Sequence, residues 1–352
     1  MSKKTWMAAV SVAALTGMVF GGAGSAKADE LFVFNWTNYT SPEVIEKFEE
    51  ETGISVTLDV YTSNEDLMAK LRAGGATYDV ALPSDSYVAR MIEEDMLHAF
   101  DARSLSNFDN VTEPHDAPYY DPERQYSAPY MWGTTGIGYN KAALEDGEEL
   151  EHSWKELFEP REQFQGEIGM LDEIGDVMQA AAFYLDIDAC TEDPDDWRQI
   201  QELLLDQREH VKVYSATGTD ASLVSGEILM HHMWNGAAHR AWREDSNIDY
   251  LYPEEGVVFW ADNMVIPNSA RNIENAKKFI NFMMSEEAAA MTSNFTGYSN
   301  TVRGASAMLS DDLRESPAVN VPEEFGDRLK MIPPCSQRSD ELRDRVWTRV
   351  LQ

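Results

Sequence analysis

Aromatic and acidic side chains recur at the ends of predicted strands, and together these side chains could hold a positively charged molecule. The aromatic residues are Trp36, Tyr39, Trp234, Trp260 and Tyr298. The acidic residues are Asp172, Glu173, Asp176 and Asp262. Aromatic faces attract alkylammonium groups, by about 0.5–2 kcal/mol each depending on desolvation, and carboxylates bind ammonium ends through charge-assisted hydrogen bonds. This combination suits a short apolar chain that carries amines.

Small polar side chains accompany the aromatic ones in the predicted loops. Thr37 and Asn38 lie between Trp36 and Tyr39, and Ser84 and Ser86 follow a later strand. A single aromatic residue in a strand–helix loop usually packs beneath the loop. Two aromatic residues next to hydroxyl and amide groups favour a flat, partly polar binding site instead.

The first strand and the segments after it predict a parallel sheet. Leu31–Phe34 is a short apolar run, and Ser41-Pro42 then provides a helix cap and a first helical position. The predicted helix ends at Gly53, and a strand over 54–61, a helix over 65–73 and a strand over 78–82 follow. Alternating strands and helices indicate an α/β fold in which both polar loops lie at one edge of the sheet.

A second α/β unit is predicted over residues 141–260. It contains a strand at 169–171, helices at 177–185 and 197–209, a strand at 227–234 and a helix at 237–243. The strand near 257–266 would place Trp260 and Asp262 on one face, because side chains alternate along a strand. A carboxylate among such apolar neighbours is costly unless it is paired.

The segment 128–140 contains three glycines but is not a phosphate-binding loop. No Lys-Ser/Thr pair follows the glycines, and no helical pattern begins there. Residues that favour strands flank the glycines, so we expect an extended segment with close backbone packing, which could cross between two lobes.

Catalytic and metal-binding motifs are absent from the sequence. It contains no nucleophile elbow, no HExxH and no Ser–His or Cys–His spacing. Asp172, Glu173 or Asp176 could be catalytic acids of a glycosidase, but the sequence does not show the distance between any two of these carboxyl groups. His231 and His232 would point to opposite faces of a strand, so they are poor joint metal ligands. Cys190 and Cys335 cannot form a full thiolate zinc site, and whether they form a disulfide stays open.

The first 28 residues form a predicted export signal. Lys3 and Lys4 precede the apolar run Met7–Phe20, and Ala26-Lys27-Ala28 matches a cleavage site. We expect cleavage after Ala28, which leaves 352 − 28 = 324 residues. No cysteine stands directly after the apolar run, so we expect no lipid anchor at that point. No later segment is apolar enough to span a membrane, so we expect an exported protein without direct membrane insertion. A chain of this length favours two lobes over one core.

The strongly acidic composition limits the classes of partner. The whole chain has a formal charge of −34, and the expected mature chain, with 25 basic and 62 acidic residues, has −37. This charge argues against nucleic acid and anionic lipid as partners. A small cationic ligand needs only a few carboxylates, so a generally acidic, well-hydrated surface accounts for most of the excess.

Several motifs together give the chain a resemblance to a known family. They are Asn35-Trp36-Thr37-Asn38-Tyr39, Phe48-Glu49-Glu50-Glu51-Thr52-Gly53, Pro83-Ser84, the segment 129–140, Trp234-Asn235-Gly236 and Phe259-Trp260-Ala261-Asp262. With these motifs the chain, from about Leu31 to Arg303, resembles the periplasmic spermidine/putrescine-binding proteins of ABC importers. Each motif alone would be weak, but the set is specific.

The resemblance implies a fold, a location and partners. The implied fold is the two-lobed periplasmic-binding-protein fold of type II, in which each lobe is a mostly parallel sheet flanked by helices and the ligand lies between the lobes. Residues 29–137 with 261–305 would form one lobe, and residues 138–260 with 306–352 the other. The implied protein is a periplasmic monomer that captures a polyamine, putrescine before spermidine, for an inner-membrane ABC permease, without cofactor or metal. A binding protein for another cationic or amino-acid-like solute is the alternative.

The resemblance also implies which residues contact the ligand. Trp36, Tyr39, Trp234, Trp260 and Tyr298 are similar to the family's aromatic box. Asp262 and Asp176 match its amine-binding acids, with Glu173 as a further acid, and Thr37, Ser84 and Ser86 match its small polar contacts. Asn38 stands where the family often has an acid, and Ala237 where some putrescine binders have one. Ser86 resembles the diamine binders, whereas Trp260 and Glu173 resemble the spermidine binder. Gln337 is a candidate for the C-terminal contact.

Overall fold

The computed structural model describes residues 29–74, 77–331 and 334–352, so the predicted export signal lies outside the described residues. The strands are β1 Glu30–Trp36, β2 Ser55–Tyr61, β3 Val80–Ala81, β4 Ser127–Asn140, β5 Ile168–Met170, β6 Val211–Tyr214, β7 Met230–Trp234, β8 Ile248–Leu251, β9 Val257–Val265, β10 Ser299–Asn300 and β11 Leu329–Met331. The helices are α1 Pro42–Thr52, α2 Asn64–Ala73, α3 Asp85–Glu93, α4 Lys155–Phe158, α5 Ile174–Tyr184, α6 Pro194–Arg208, α7 Thr219–Val224, α8 Asn235–Glu244, α9 Ile273–Met283, α10 Glu286–Thr296, α11 Asp311–Glu315 and α12 Gln337–Val350.

Two parallel units are joined by long antiparallel strands. The order across the sheet is β2-β1-β3-β9-β4-β7-β5-β6, with β8 and β10 paired to β4 and β11 paired to β9. Strands β1, β2 and β3 are mutually parallel and form the first unit. Strands β5, β6 and β7 are mutually parallel and form the second unit. β9 and β4 lie between the units and run antiparallel to each other.

Local sequence accounts for most element boundaries. Gly53 and Gly74 end α1 and α2 in the left-handed conformation, at φ 72° and 63°, which glycine adopts without steric cost. Ser63 caps α2 by accepting a hydrogen bond from the Asp66 amide. The expected strand at 78–82 is shorter as β3, although backbone hydrogen bonds from Asp79 and Leu82 to β1 continue its pairing.

The predicted extended segment at 128–140 is confirmed as β4, a strand of 14 residues. Its register against β9 shifts between Pro129 and Trp132, and a bulge of this kind bends a strand. Beyond the bulge Gly133 lies opposite Trp260, and Thr135 lies opposite both Val258 and Trp234. One strand therefore sets the relative position of residues from β9 and β7.

The C-terminal helix α12 packs on the second unit. It lies against α6, and Trp347 packs edge-on against Tyr214 of β6 with ring centroids 5.9 Å apart. Cys190 and Cys335, whose pairing the sequence left open, form a disulfide with Cα atoms 5.1 Å apart. This bond ties the segment before α12 to the loop after α5.

Two further expectations concern membranes and metals. None of the helices in the described part of the chain has the length and apolar character needed to cross a bilayer. Within the same residues no three His, Cys, Asp or Glu side chains are grouped as metal ligands. His231 and His232 are both buried, and burial lowers their pKa values to about 4 and about 3, so both are neutral at pH 7.

Candidate ligand-binding site

All twelve residues expected to contact a ligand line one cavity, of about 90 Å³. They are Trp36, Thr37, Asn38, Tyr39, Ser84, Ser86, Glu173, Asp176, Trp234, Trp260, Asp262 and Tyr298. They come from the first unit, the second unit and the strands between them. The structure therefore brings the predicted set together, while the contact of each residue with a ligand stays a prediction.

The β1–α1 connection holds Trp36 and Tyr39 by backbone and indole hydrogen bonds. Trp36 is the last residue of β1, and its indole nitrogen donates to the Leu82 carbonyl at 3.0 Å. The Tyr39 carbonyl accepts from the Tyr130 hydroxyl at 2.6 Å. Asn38 between them is exposed and has φ 56°, a left-handed conformation that asparagine tolerates better than most residues. Local geometry thus explains an asparagine at this position.

Asp262 lies on β9, lines the cavity and is only 4% exposed. The Ser84 hydroxyl donates to its Oδ1 at 2.8 Å, and the Asn64 side-chain amide donates to the Ser84 hydroxyl at 3.2 Å. Ser84 precedes α3 but makes no side-chain cap to that helix, because its hydroxyl is used by Asp262. Tyr39 also lies close to Asp262, and burial first, then the charge of Asp262, raises its pKa well above the usual value.

Asp176 and Glu173 enter the cavity from the start of α5. The helix begins three residues earlier than expected, so Asp176 is in its first turn and Glu173 at the preceding cap position. The Trp234 indole donates to Asp176 Oδ2 at 2.7 Å, and the Thr135 hydroxyl donates to the same oxygen at 3.1 Å. Glu173 is 5% exposed and its Oε2 has no hydrogen-bond partner among the described residues.

The aromatic side chains form edge-to-face contacts around these acids. Trp36 and Trp234, from the first and second units, have ring centroids 5.9 Å apart at 77°. Tyr298 lies 5.3 Å from both Tyr39 and Trp260, at 78° and 69°. The Trp260 indole nitrogen is buried without a hydrogen-bond partner in the described structure. Ring faces left free by edge contacts can receive methylene and ammonium groups.

Two glycines make room for these rings. A Cβ atom on Gly133 would lie 2.6 Å from the Trp260 ring and 2.5 Å from Asn235 Oδ1. A Cβ atom on Gly236 would lie 2.4 Å from the Tyr298 ring. Such distances are too short for non-bonded atoms, so any side chain at either position would displace an aromatic wall of the cavity.

Four carboxyl groups in the cavity have no basic partner among the described residues. They are Asp85, Glu173, Asp176 and Asp262, each 5% exposed or less. Burial raises the pKa of Asp262 to about 7 and that of Asp176 to about 6. Burial also raises the pKa values of Glu173 and Asp85 well above the usual range. The interior is therefore an uncompensated acidic site, which a bound cation would stabilise in its ionised form.

The arginines that line the cavity are already paired with acids. Arg240 Nε lies 2.8 Å from Asp220 Oδ2. Arg90 pairs with Asp340, and Arg343 Nη1 lies 3.1 Å from the other oxygen of Asp340. These pairs leave the four interior carboxyls without a protein cation in the described part of the chain.

Sequence reasoning missed several lining residues and proposed two that do not line the cavity. The missed residues include Asn64, Asp85, Tyr87, Arg90, Asp220, Arg240, Asp340 and Arg343. Asp85 had a sequence signal, because it stands between Ser84 and Ser86 in a strand–helix connection. Gln337 is exposed and bonds to Glu341 at 3.1 Å, and Asp172 is exposed, so neither lines the cavity.

Comparison with known proteins identifies the family. A family model described as bacterial extracellular solute-binding protein matches residues 43–321. The chain belongs to this family. Its description is that of a solute-binding protein and not of a glycosidase. The expected absence of catalytic residues agrees with the family.

Individual relatives support the same assignment. The chain is 32% identical over 351 residues, 96% of its length and 95% of the relative's, to the putrescine-binding periplasmic protein SpuD of Pseudomonas aeruginosa. It is 33% identical to the spermidine/putrescine-binding periplasmic protein of Escherichia coli, over 83% of this chain and 84% of that one. The chain also superposes on a solved structure, the spermidine/putrescine ABC transporter substrate-binding protein PotD of Streptococcus pneumoniae, with a TM-score of 0.76 and 27% sequence identity. The superposition covers 92% of this chain and 98% of PotD. The predicted family and the predicted two-lobed α/β fold are confirmed.

Proposed function

We propose that this solute-binding protein captures a polyamine and delivers it to an ABC permease. One observation carries the proposal: four buried carboxyls in an aromatic cavity have no cationic partner in the described structure. An uncompensated buried charge is expensive. A ligand that brings two or more ammonium groups on a methylene chain supplies the missing charge, and its methylenes pack on the indole and phenol rings.

The relatives support the same ligand class. SpuD is named for putrescine, and the Escherichia coli relative is named for spermidine and putrescine. The acids and aromatic residues that line the cavity of this chain suit those amines. Asp262 with Ser84 would bind one ammonium group, and Asp176 with Glu173 would bind another.

We further propose that ligand binding closes two lobes, formed by residues 29–137 with 261–305 and by residues 138–260 with 306–352. The chain would cross between the lobes near Gly136–Tyr139 and near Trp260, on the strands β4 and β9 that join the two units. The contact between Trp36 and Trp234 would be made on closure, because the two rings belong to different units. Bending at a few crossing residues is the usual hinge mechanism.

The proposed location is the periplasm, after removal of residues 1–28. The relatives' names place them there, and the amino-terminal sequence has the features of an export signal. We propose that the protein acts as a monomer and that its partners are the amine and an inner-membrane ABC permease.

Calorimetric titration of the mature protein tests the function. We expect saturable 1:1 binding of putrescine or spermidine, with no displacement by excess free lysine or Mg²⁺. Asp262→Asn should weaken binding at least tenfold, because loss of one partner of a buried charge pair costs about 2–5 kcal/mol. Asp109→Asn, a substitution of an exposed acid in the loop after α3, is the matched control and should bind like the wild type. Absence of amine binding, or tighter binding of another class of solute, would overturn the proposal.

A further inference from the structure

Asp85 is the interior carboxyl to which the proposed ammonium contacts assign no role. It is the first residue of α3, lines the cavity and is 1% exposed. Its Oδ1 accepts a hydrogen bond from the Ser86 amide at 2.8 Å. Its Oδ2 is buried and has no hydrogen-bond partner among the described residues. A buried polar atom without a partner is costly, and a ligand that donates a hydrogen bond to this oxygen would remove that cost.

The amino end of α3 faces the cavity. The residue before the helix, Ser84, and the first three helical residues, Asp85, Ser86 and Tyr87, all line the cavity. The amino end of a helix carries a partial positive charge and ordinarily favours anions. A cavity that binds ammonium groups therefore needs a negative group at this end, and Asp85 provides one in the first turn.

A purely structural role does not account for the burial of Asp85. Asp66 stands in the first turn of α2 and is exposed to water, as acidic residues usually are. Asp85 is instead buried, and burial raises its pKa well above the usual range. The gain from the helix dipole is small compared with the cost of burying an unpaired carboxylate. Asp85 therefore destabilises the ligand-free protein, which is a common cost at binding sites.

Backbone pairing holds Asp85 next to the segment that carries Asp262. Ser84 and Asp262 form an antiparallel bridge, and the Asn263 amide donates to the Pro83 carbonyl at 3.0 Å. The Ser84 hydroxyl also donates to Asp262 Oδ1 at 2.8 Å. In agreement with this arrangement, burial raises the pKa of Asp85 most and the charge of Asp262 raises it further. The two carboxyls thus lie at the same end of the cavity.

The arginines around α3 do not neutralise Asp85. Arg90 of the same helix pairs with Asp340. The buried Arg124 donates to Asn263 Oδ1 at 2.7 Å. Neither arginine forms an ion pair with Asp85 in the described part of the chain. An ammonium group of the ligand can therefore supply the missing positive charge.

We propose that Asp85 is a further ligand contact and that its Oδ2 accepts a hydrogen bond from the same ammonium group as Asp262. A primary ammonium group has three N–H donors, so it can bind both carboxyls at once. The inference rests on the proposed polyamine-binding function and adds Asp85 to the twelve residues that the sequence indicated. The two carboxyls together offset the positive end of α3, so this end of the cavity binds an ammonium group in place of an anion.

Calorimetric titration with putrescine at pH 8 tests the inference. Asp85→Asn keeps the size of the side chain and an acceptor for the Ser86 amide, but it removes the charge and places a donor where the ammonium group needs an acceptor. The dissociation constant should rise about tenfold or more. Asp66→Asn is the matched control, because Asp66 is an exposed acid in the first turn of α2 and does not line the cavity. Its affinity should equal that of the wild type.

Urea unfolding of the ligand-free proteins separates ligand binding from a structural role. Asp85→Asn should unfold at the same urea concentration as the wild type or at a higher one. In the double variant with Asp262→Asn, the rise in the dissociation constant should differ at least about threefold from the product of the two single effects, because two groups that bind one ammonium group are coupled.

Three results would overturn the inference while polyamine binding stands. They are unchanged affinity in Asp85→Asn, a loss of affinity that accompanies a lower urea midpoint, and effects that simply multiply in the double variant. A wild type that binds neither putrescine nor spermidine would overturn the proposed function, and the inference with it.

Discussion

Amine affinity should fall as the pH is lowered, because the buried acids must be ionised to bind ammonium groups. Burial raises the pKa of Asp262 to about 7 and that of Asp176 to about 6 in the ligand-free cavity. Between pH 6 and pH 8 both groups change protonation, whereas alkylamines with pKa values near 10 stay charged. A bound cation favours the ionised acids, so ligand binding must release protons over this range.

The magnitude follows from these two values. If both acids must be ionised and titrate independently, the dissociation constant for putrescine should rise about twentyfold between pH 8 and pH 6. Binding should release about 0.6 protons at pH 7 and about 1.4 at pH 6. Glu173 and Asp85, whose pKa values burial also raises, act in the same direction and make these figures lower bounds.

Titration calorimetry in buffers of different ionisation enthalpy measures proton release directly, as the slope of the apparent enthalpy against the buffer enthalpy. Asp262→Asn removes the group whose pKa is about 7, so it should reduce the proton release at pH 7 by about 0.5 protons. A slope of zero at pH 6 and 7 in the wild type, with affinity independent of pH, would refute the reasoning. Proton uptake in place of release would refute it as well.

Three further outcomes are expected. Asp262→Asn should stabilise the ligand-free protein at pH 8, by up to roughly 4 kcal/mol. Burial raises the folded-state pKa of Asp262 to about 7, so the gain should shrink as the pH falls below about 7 and vanish only below about pH 4, where the carboxyl is protonated in the unfolded state as well. Urea unfolding at several pH values measures the gain, and a solvated carboxyl would show no such trend. Gly133→Ala should weaken putrescine binding about tenfold through displacement of Trp260, whereas Gly326→Ala, with open space around its Cβ position, should not. Amine affinity, measured by calorimetry at several salt concentrations, should decline only weakly as the salt concentration rises, because buried ion pairs are screened less than exposed ones. A steep decline would mean that the amine binds to the acidic surface and not in the cavity.

Local patterns in the sequence predicted the elements that carry the site. The apolar run at Leu31–Phe34, the Ser41-Pro42 start and the Gly53 end correspond to β1 and α1 within one or two residues, because strand and helix periodicity and capping are local properties. The placement of Trp260 and Asp262 on one strand follows from the same rule. Polar and aromatic residues follow the ends of several predicted strands. Because parallel strands end at the same edge of a sheet, their positions predicted that these residues lie together at that edge.

The start of α5 shows where local reasoning was less accurate. The expected helix began at Val177, whereas the observed helix begins at Ile174. Gly175 and Asp176 are weak helix formers and concealed the first turn, although acids are favoured there by the helix dipole. The difference matters because Glu173 and Asp176 are three residues apart at the start of one helix, so both carboxyls lie on the same side of it.

Contacts between distant segments decided the chemistry of the cavity. Ser84 and Asp262 are 178 positions apart and Arg90 and Asp340 are 250 apart, and no local pattern links either pair. The disulfide between Cys190 and Cys335 is likewise a tertiary contact, which sequence spacing left open. The sequence alone determined which residue types lie at the strand ends, because that depends on neighbours along the chain. Only the tertiary structure decided which acids remain unpaired and which arginines are neutralised, because pairing depends on how the two units and α12 pack together.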